Sequence, residues 1–248
     1  METLFTGKII HYKNAVDSTN NWADAEIKKS KVLEGTVFRA DVQFAGKGQR
    51  GRVWDSDEAR NLLVSFVLHP YFLRVDQQFS LIKTISLAVK DTLDAYLIDK
   101  AKIKWPNDIY VNDAKIAGIL IELSTKGAYL GNSIVGIGIN VNQLTFNSNL
   151  NATSLILELG RGVDLDRLLS ELSFHVEKRY LALRRNYLID EEEYLKSLYR
   201  LNTECLYNIQ GSKIKMTNRG VDSIGQIILE DEFGRKNSYG LHQISMVI

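Results

Sequence analysis

Between residues 77 and 97, Leu81, Ile85, Ala88, Val89, Thr92 and Tyr96 recur at spacings of three and four. That period predicts a long helix with one apolar face against a core. Most of the surrounding chain has a strand-like pattern. Residues 8–12, 35–43 and 61–68 read as strands, the last two rich in β-branched and aromatic side chains. Residues 102–105, 109–111, 115–123 and 129–142 continue the series, with Asn112-Asp113 as a hairpin turn. Ser18 or Thr19 is placed to cap a helix running through Trp22 and Ile27. Helical spacing returns over 164–184 and 190–201.

After Asn202 the pattern is strand-like again, through Ile214, Ile224, Ile227 and Leu229, punctuated by Gly211, Gly220, Gly225, Gly234 and Gly240. Strands and helices thus mix without strict alternation, which predicts an α+β domain over 1–201 and a small β-barrel over 202–248. The boundary rests on the change of period, since no Gly/Pro-rich linker marks it.

Composition narrows the function classes. The 248 residues are 45% hydrophobic and 25% charged, as in ordinary globular proteins, with a net charge of +1. A general nucleic-acid binder carries a strong basic excess, so that class is disfavoured. The longest apolar run, residues 62–68, falls far short of the roughly 20 residues that span a bilayer. Residues 1–13 do not read as a secretion signal. A single cysteine, Cys205, excludes an intrachain disulfide and fits a reducing compartment, with the cytoplasm as default. His11, His69, His175 and His242 are too scattered for metal-ligand spacing.

The densest chemical signal is Gly46-Lys47-Gly48-Gln49-Arg50-Gly51-Arg52, followed closely by Trp54. Glycines let backbone N–H groups approach a ligand, and the cations attract oxyanions. The loop matches G-x-G-x-x-G literally, but a strand rather than a helix follows it, against a dinucleotide fold. A kinase loop lacks its H-R-D and D-F-G partners, and no Gly-Lys-Ser or Gly-Lys-Thr makes a P-loop. A solvated surface loop and an RNA contact remain open for this stretch by itself.

A second constellation runs from Lys104-Trp105-Pro106-Asn107-Asp108 through Lys115-Ile116-Ala117-Gly118-Ile119-Leu120 to Glu122. Pro106 fixes a turn that sets Asn107 and Asp108 at a strand end. An amide beside a carboxylate suits hydrated magnesium or nucleotide phosphates. Lys115 puts an ammonium in an otherwise apolar strand. Taken singly, Asn107-Asp108 reads equally as a plain turn and Lys115 as a snorkelling strand-end residue.

Together with Asp17-Ser18-Thr19-Asn20, Gln43 and Gly136-Ile137-Gly138-Ile139-Asn140-Val141-Asn142, these segments resemble the biotin protein ligases, in that family's order and separations. The resemblance covers roughly residues 8–142. It implies a mixed central sheet flanked by helices, of the class II synthetase-like or biotin–lipoate ligase fold, with a small C-terminal SH3-like barrel. It implies an enzyme that joins biotin to ATP, releases pyrophosphate, and passes the biotinyl group to a lysine of a carrier domain of acetyl-CoA carboxylase or a related carboxylase.

Residue roles follow from the same resemblance. Lys115 should lie near the biotin carboxylate and α-phosphate, Arg52 should help bind the triphosphate, and Asp108 should orient or deprotonate the incoming amine. Ser18, Thr19, Asn20, Gln43, Gly46, Lys47, Gly48, Gln49, Lys115, Gly118 and Gly136 should form the biotin side. Lys47, Arg50, Arg52, Trp54, Asn107, Lys115, Ile139 and Asn140 should form the ATP side. Magnesium is expected on the ATP phosphates near Asn107, with no direct protein ligand.

Gln49 departs from the pattern, because the family's commonest loop has arginine there, tied to holding the adenylate. Either Arg50 takes over or the adenylate is held less tightly. Many bacterial relatives carry an N-terminal winged helix; here the pattern begins almost at Met1, so a ligase without DNA binding is expected. Members often dimerise, so a homodimer is among the partners the resemblance allows. The nearest alternative is a lipoate or octanoate ligase of the same fold, and a non-catalytic RNA-binding module is the alternative from another class.

Overall fold

A computed structural model describes residues 2–51, 53–185 and 191–247. Seven strands, β1 (Ile10–Val16), β2 (Val37–Gln43), β3 (Leu62–Leu68), β4 (Ala101–Lys104), β5 (Asp108–Val111), β6 (Ala114–Lys126) and β7 (Tyr129–Ile139), form one sheet. Their order is β1-β2-β3-β7-β6-β5-β4, with only β1–β2 parallel. The helices are α1 (Thr19–Lys29), α2 (Gln78–Leu97), α3 (Leu155–Leu159), α4 (Leu165–Arg184) and α5 (Glu191–Ser197).

β3 explains the layering. All seven of its side chains are buried, so both faces of the sheet are covered at its centre. Leu62, Val64, Phe66 and Leu68 join the large core built with α2 and α4, while Val67 packs with Ala23 of α1, Phe38 and Ile134. Burying each such side chain stabilises the fold by about 1.5–3 kcal/mol. The 77–97 periodicity is realised as α2, whose buried face includes Leu81, Ile85, Ala88, Val89 and Thr92. Asp164 caps α4 by accepting the Arg167 N–H at 2.7 Å. Arg179 of α4 grips Asp91 of α2 at 2.7 and 2.8 Å and Glu193 of α5 at 2.5 and 2.7 Å, tying three helices together.

After residue 203 the chain forms a second, antiparallel sheet from β8 (Glu204–Ile209), β9 (Ser212–Val221), β10 (Ile227–Glu230), β11 (Lys236–Tyr239) and β12 (Ile244–Met246), in the order β11-β10-β9-β8-β12. Its small core holds Cys205, Tyr207, Met216, Ile227, Leu229 and Ile244. The Trp105 indole donates to the Gly225 carbonyl at 2.9 Å, and Gly225 (φ 89°) lies where a Cβ would strike the Phe79 ring. Those contacts seat the second sheet beside the Trp105–Asp108 turn.

Boundaries moved for local reasons. The second strand starts at Val37 rather than 35, because Gly35 adopts φ 82° in the turn before it. The predicted 190–201 helix appears as α5 and ends at Ser197, with residue 190 outside the described set. Short α3 has too few residues to show a period. Among the described residues, no helix is long and apolar enough to cross a membrane.

Candidate functional site

The α1 face of the main sheet carries a groove floored by glycine. Gly118 of β6 pairs directly with Gly138 of β7, and Gly136 pairs with Leu120 of β6 and Ser65 of β3. Strand alternation puts Gly118, Gly136 and Gly138 on one face, with Ile119, Ile137 and Ile139 turned into the α2–α4 core. Trp54 lies in the space that the missing side chains leave. A Cβ on Gly138 would stand 2.5 Å from the Trp54 ring, and one on Gly118 would stand 2.8 Å from it.

Trp54 is delivered by the glycine-rich loop. Gln49–Gly51 form a single 3-10 turn, Lys47 bridges Val53 in antiparallel fashion, and the Trp54 N–H donates to the Gly46 carbonyl at 2.9 Å. This is a hairpin-like flap, not the start of a helix. The Trp54 indole N–H is buried with no protein partner. Arg52 lies outside the described residues, as does the Arg50 side chain.

A β-bulge delivers Lys115. Between Ile109 and Tyr110 the register slips by one residue on β6, so that Ile109 faces Ala117 while Tyr110 faces Lys115. The extra residue, Ile116, enters the core, and Lys115 is turned onto the groove face with Gly118. Its ammonium lies 2.7 Å from Asp108 Oδ1 and 5.4 Å from the centre of the Trp54 ring. Asn107, 5% exposed, is locked to β6: its amide donates to the Ile119 carbonyl and its own carbonyl accepts the Ile119 N–H at 3.1 Å. The Asn140 amide donates to the carbonyls of Thr153 at 3.0 Å and Lys115 at 3.3 Å, pinning the 143–153 segment against β6.

Trp54, Asn107, Asp108 and Lys115 stand between two cavities. The larger, about 350 Å³, extends from Lys115 past Phe146 and Leu150 to Tyr207 and Ile244 of the second sheet. The smaller, about 50 Å³, ends among Ser18, Thr19, Asn20, Gln43 and Gly136.

Around the smaller cavity the polar groups are bonded to one another. Gln43 Oε1 accepts from the Thr19 N–H at 2.7 Å. Ser65 Oγ lies 2.7 Å from Thr19 Oγ1 and 2.6 Å from Asn20 Oδ1. Asn20 Nδ2 donates to Glu122 Oε2 at 2.7 Å, and Glu122 faces Lys47 at 3.7 Å. Ser18 holds the N-cap position of α1, yet its side chain makes no capping hydrogen bond. Asn21 donates to Asp17 at 2.5 Å and holds that carboxyl below its ordinary range.

This arrangement can clasp an apolar molecule with a polar edge at its inner end and an anion at Lys115. Residues 12–140 match the biotin/lipoate A/B protein ligase family. The bifunctional ligase/repressor BirA of Bacillus spizizenii is 31% identical, over 96% of this chain and 74% of that protein. The chain belongs to the biotin/lipoate A/B protein ligase family. The biotin–[acetyl-CoA-carboxylase] ligase of Mycobacterium tuberculosis is 30% identical over 67% of this chain and 62% of that protein. Among solved structures, the biotin protein ligase of Aquifex aeolicus in complex with biotin and ATP superimposes with a TM-score of 0.81 at 27% identity, covering 97% of this chain and 99% of that one. The mixed sheet flanked by helices is thus the fold of this family.

Nearly all the candidates named from sequence converge. Ser18, Thr19, Asn20, Gln43, Lys47, Gly48, Gln49, Gly118 and Gly136 line the small cavity, Asn140 lines the large one, and Gly46 sits in the loop above. Ile139 is fully buried in the α2–α4 core, and its side chain lines neither cavity. Two contributors went unnamed: Ser65, hidden in an apolar strand, and Glu122, known only as the end of a motif. A hydroxyl inside Leu62–Leu68 was the available signal for the first.

Proposed function

We propose that this protein activates biotin with ATP to biotinyl-5′-AMP, releasing pyrophosphate, and transfers the biotinyl group to a lysine of a carboxylase carrier domain, whose amine displaces AMP. The observation that carries the reading is Lys115 at the junction of the two cavities, paired with Asp108 beneath Trp54. Biotin's ureido end belongs with Thr19 and Gln43, and its carboxylate with Lys115. The adenosine belongs in the larger cavity between Trp54 and the 146–152 segment. Family membership and the likeness to a ligase solved with biotin and ATP support this orientation.

Attack of a carboxylate on an α-phosphate brings two anions together. Lys115, with Lys47, Arg50 and Arg52 of the loop, offsets that repulsion and stabilises the charge that develops. In the second half-reaction the acceptor amine must be neutral, and Asp108 accepts its proton. Magnesium carried on the ATP phosphates would supply charge neutralisation there, facing Asn107 and Asp108, which line the same cavity as Lys115. Among the described residues no three His, Cys, Asp or Glu side chains are grouped to hold a metal themselves. The carrier domain of acetyl-CoA carboxylase is the acceptor this reading favours, from the activity in the mycobacterial relative's name. Residues 1–201 would form the catalytic domain and 202–248 an accessory β domain walling its cavity.

Biotin-dependent exchange of labelled pyrophosphate into ATP tests the first half-reaction. The expected result is exchange with biotin and little with lipoate or octanoate. Faster exchange with lipoate would reassign the substrate.

A further inference from the structure

Resting on the biotin reading, we infer that Glu122 and Ser65 are positioning residues that set which ureido groups the pocket accepts, by fixing the direction of a hydrogen-bond relay. Four side chains link Gln43 to Asn20: Gln43 Oε1, Thr19 Oγ1, Ser65 Oγ and Asn20 Oδ1 lie 3.1, 2.7 and 2.6 Å apart in turn. Three oxygen–oxygen contacts share only two hydroxyl hydrogens, because the two amide oxygens have none to give. One contact must go without.

Glu122 decides which one. Its carboxylate and the Leu120 carbonyl both accept, so the end of Asn20 facing them, at 2.7 and 3.4 Å, must be the NH2. That turns Asn20 Oδ1 toward Ser65, which donates to it at 2.6 Å. Ser65 Oγ, its hydrogen spent, accepts from Thr19. Gln43 Oε1 is already satisfied by the Thr19 backbone N–H at 2.7 Å, so the 3.1 Å contact is the one left without a hydrogen.

The relay therefore runs Thr19 to Ser65 to Asn20 to Glu122. Two consequences reach the cavity wall. Thr19 Oγ1 is an acceptor toward a ligand, and Gln43, its oxygen pinned, presents its NH2, which faces Gly46 of the loop. One acceptor beside one donor complements a ureido edge, which offers N–H beside C=O. Ser65 is 0% exposed and cannot take its polarity from solvent. Glu122 is 43% exposed, so its role is separable from folding.

The test compares biotin with its two isosteric carbamates, in which one or the other ureido N–H is replaced by oxygen. Adenylate formation is measured with the whole protein and with Glu122→Gln, Ser65→Ala and the double substitution. The unsubstituted protein should disfavour one carbamate by about tenfold in kcat/KM, because two acceptors then face each other. Glu122→Gln lets the Asn20 amide turn over, and Ser65→Ala frees the Thr19 hydroxyl to donate. Each should cut that discrimination by about threefold or more while kcat at saturating biotin stays within about twofold. The double substitution should add nothing, since both act on one relay.

Equal losses for biotin and carbamate, additive effects, or an unsubstituted ratio near one would overturn the relay. A protein that exchanges pyrophosphate with biotin yet shows any of these keeps its ligase reading. One that exchanges with no ligand loses both.

Discussion

Lys115 Nζ lies 2.7 Å from Asp108 Oδ1, and the two side chains are 30% and 24% exposed. A pair this accessible adds little to stability. In the proposed mechanism a bound carboxylate and phosphate would compete with Asp108 for the ammonium. Lys115→Ala should lower the rate of biotinyl-adenylate formation by about a hundredfold to a thousandfold. Pyrophosphate exchange measures this, with thermal unfolding showing a small change in Tm.

Asp108→Asn should separate the two half-reactions. Starting from preformed adenylate, single-turnover transfer to a carrier lysine should slow by about a hundredfold near neutral pH. It should recover as pH rises toward the lysine's own value of about 10.4, where the amine is neutral without help. Transfer at the unsubstituted rate across pH would remove Asp108 from the chemistry.

Gly138→Ala tests the seating of Trp54. The new Cβ would meet the ring at 2.5 Å, so either the ring leaves or the sheet yields. Overpacking of this kind costs about 1–3 kcal/mol. The expected outcome is a lower Tm and a red-shifted fluorescence component that disappears in Trp54→Phe. Combining Gly138→Ala with Trp54→Leu should restore Tm without restoring biotin binding, because the groove floor stays filled.

Much of this was legible in the sequence because the strong signals are local. Helix α2 shows its period over five turns, and the glycine loop and the Trp105–Asp108 turn carry their chemistry in neighbouring residues. Period counting failed where the backbone breaks its own rule. Simple alternation would put Lys115 on the same face as Ala117, in the core, and only the bulge at Ile116 turns it to the groove. Ile139 shares a motif with Gly138, yet adjacent residues on a strand point to opposite faces, so its side chain enters the core. Ser65 and Glu122 matter through partners 45 and 102 residues away in Asn20, a relation no local window contains.

The Glu177 carboxylate gives the fold an acid-sensitive clasp. Burial raises its pKa, but hydrogen bonds from the N–H groups of Thr6, Phe5 and Leu4, at 2.9, 2.8 and 2.6 Å, outweigh that and hold it below the ordinary glutamate range. A depressed folded value stabilises above the unfolded pKa of about 4.3, and that stability is lost as pH falls through the folded value. Glu177→Gln should cost about 2 kcal/mol at neutral pH. Urea unfolding at several pH values should show the difference shrinking below about pH 4.

The central claim is group transfer, and intact-mass spectrometry of a purified carboxylase carrier domain tests it most directly. With biotin, ATP and magnesium, the protein should add one biotinyl mass to one lysine of the carrier, and Lys115→Ala should add almost none in the same time. A carrier that stays unmodified, or one modified equally by the Lys115 variant, would contradict the account.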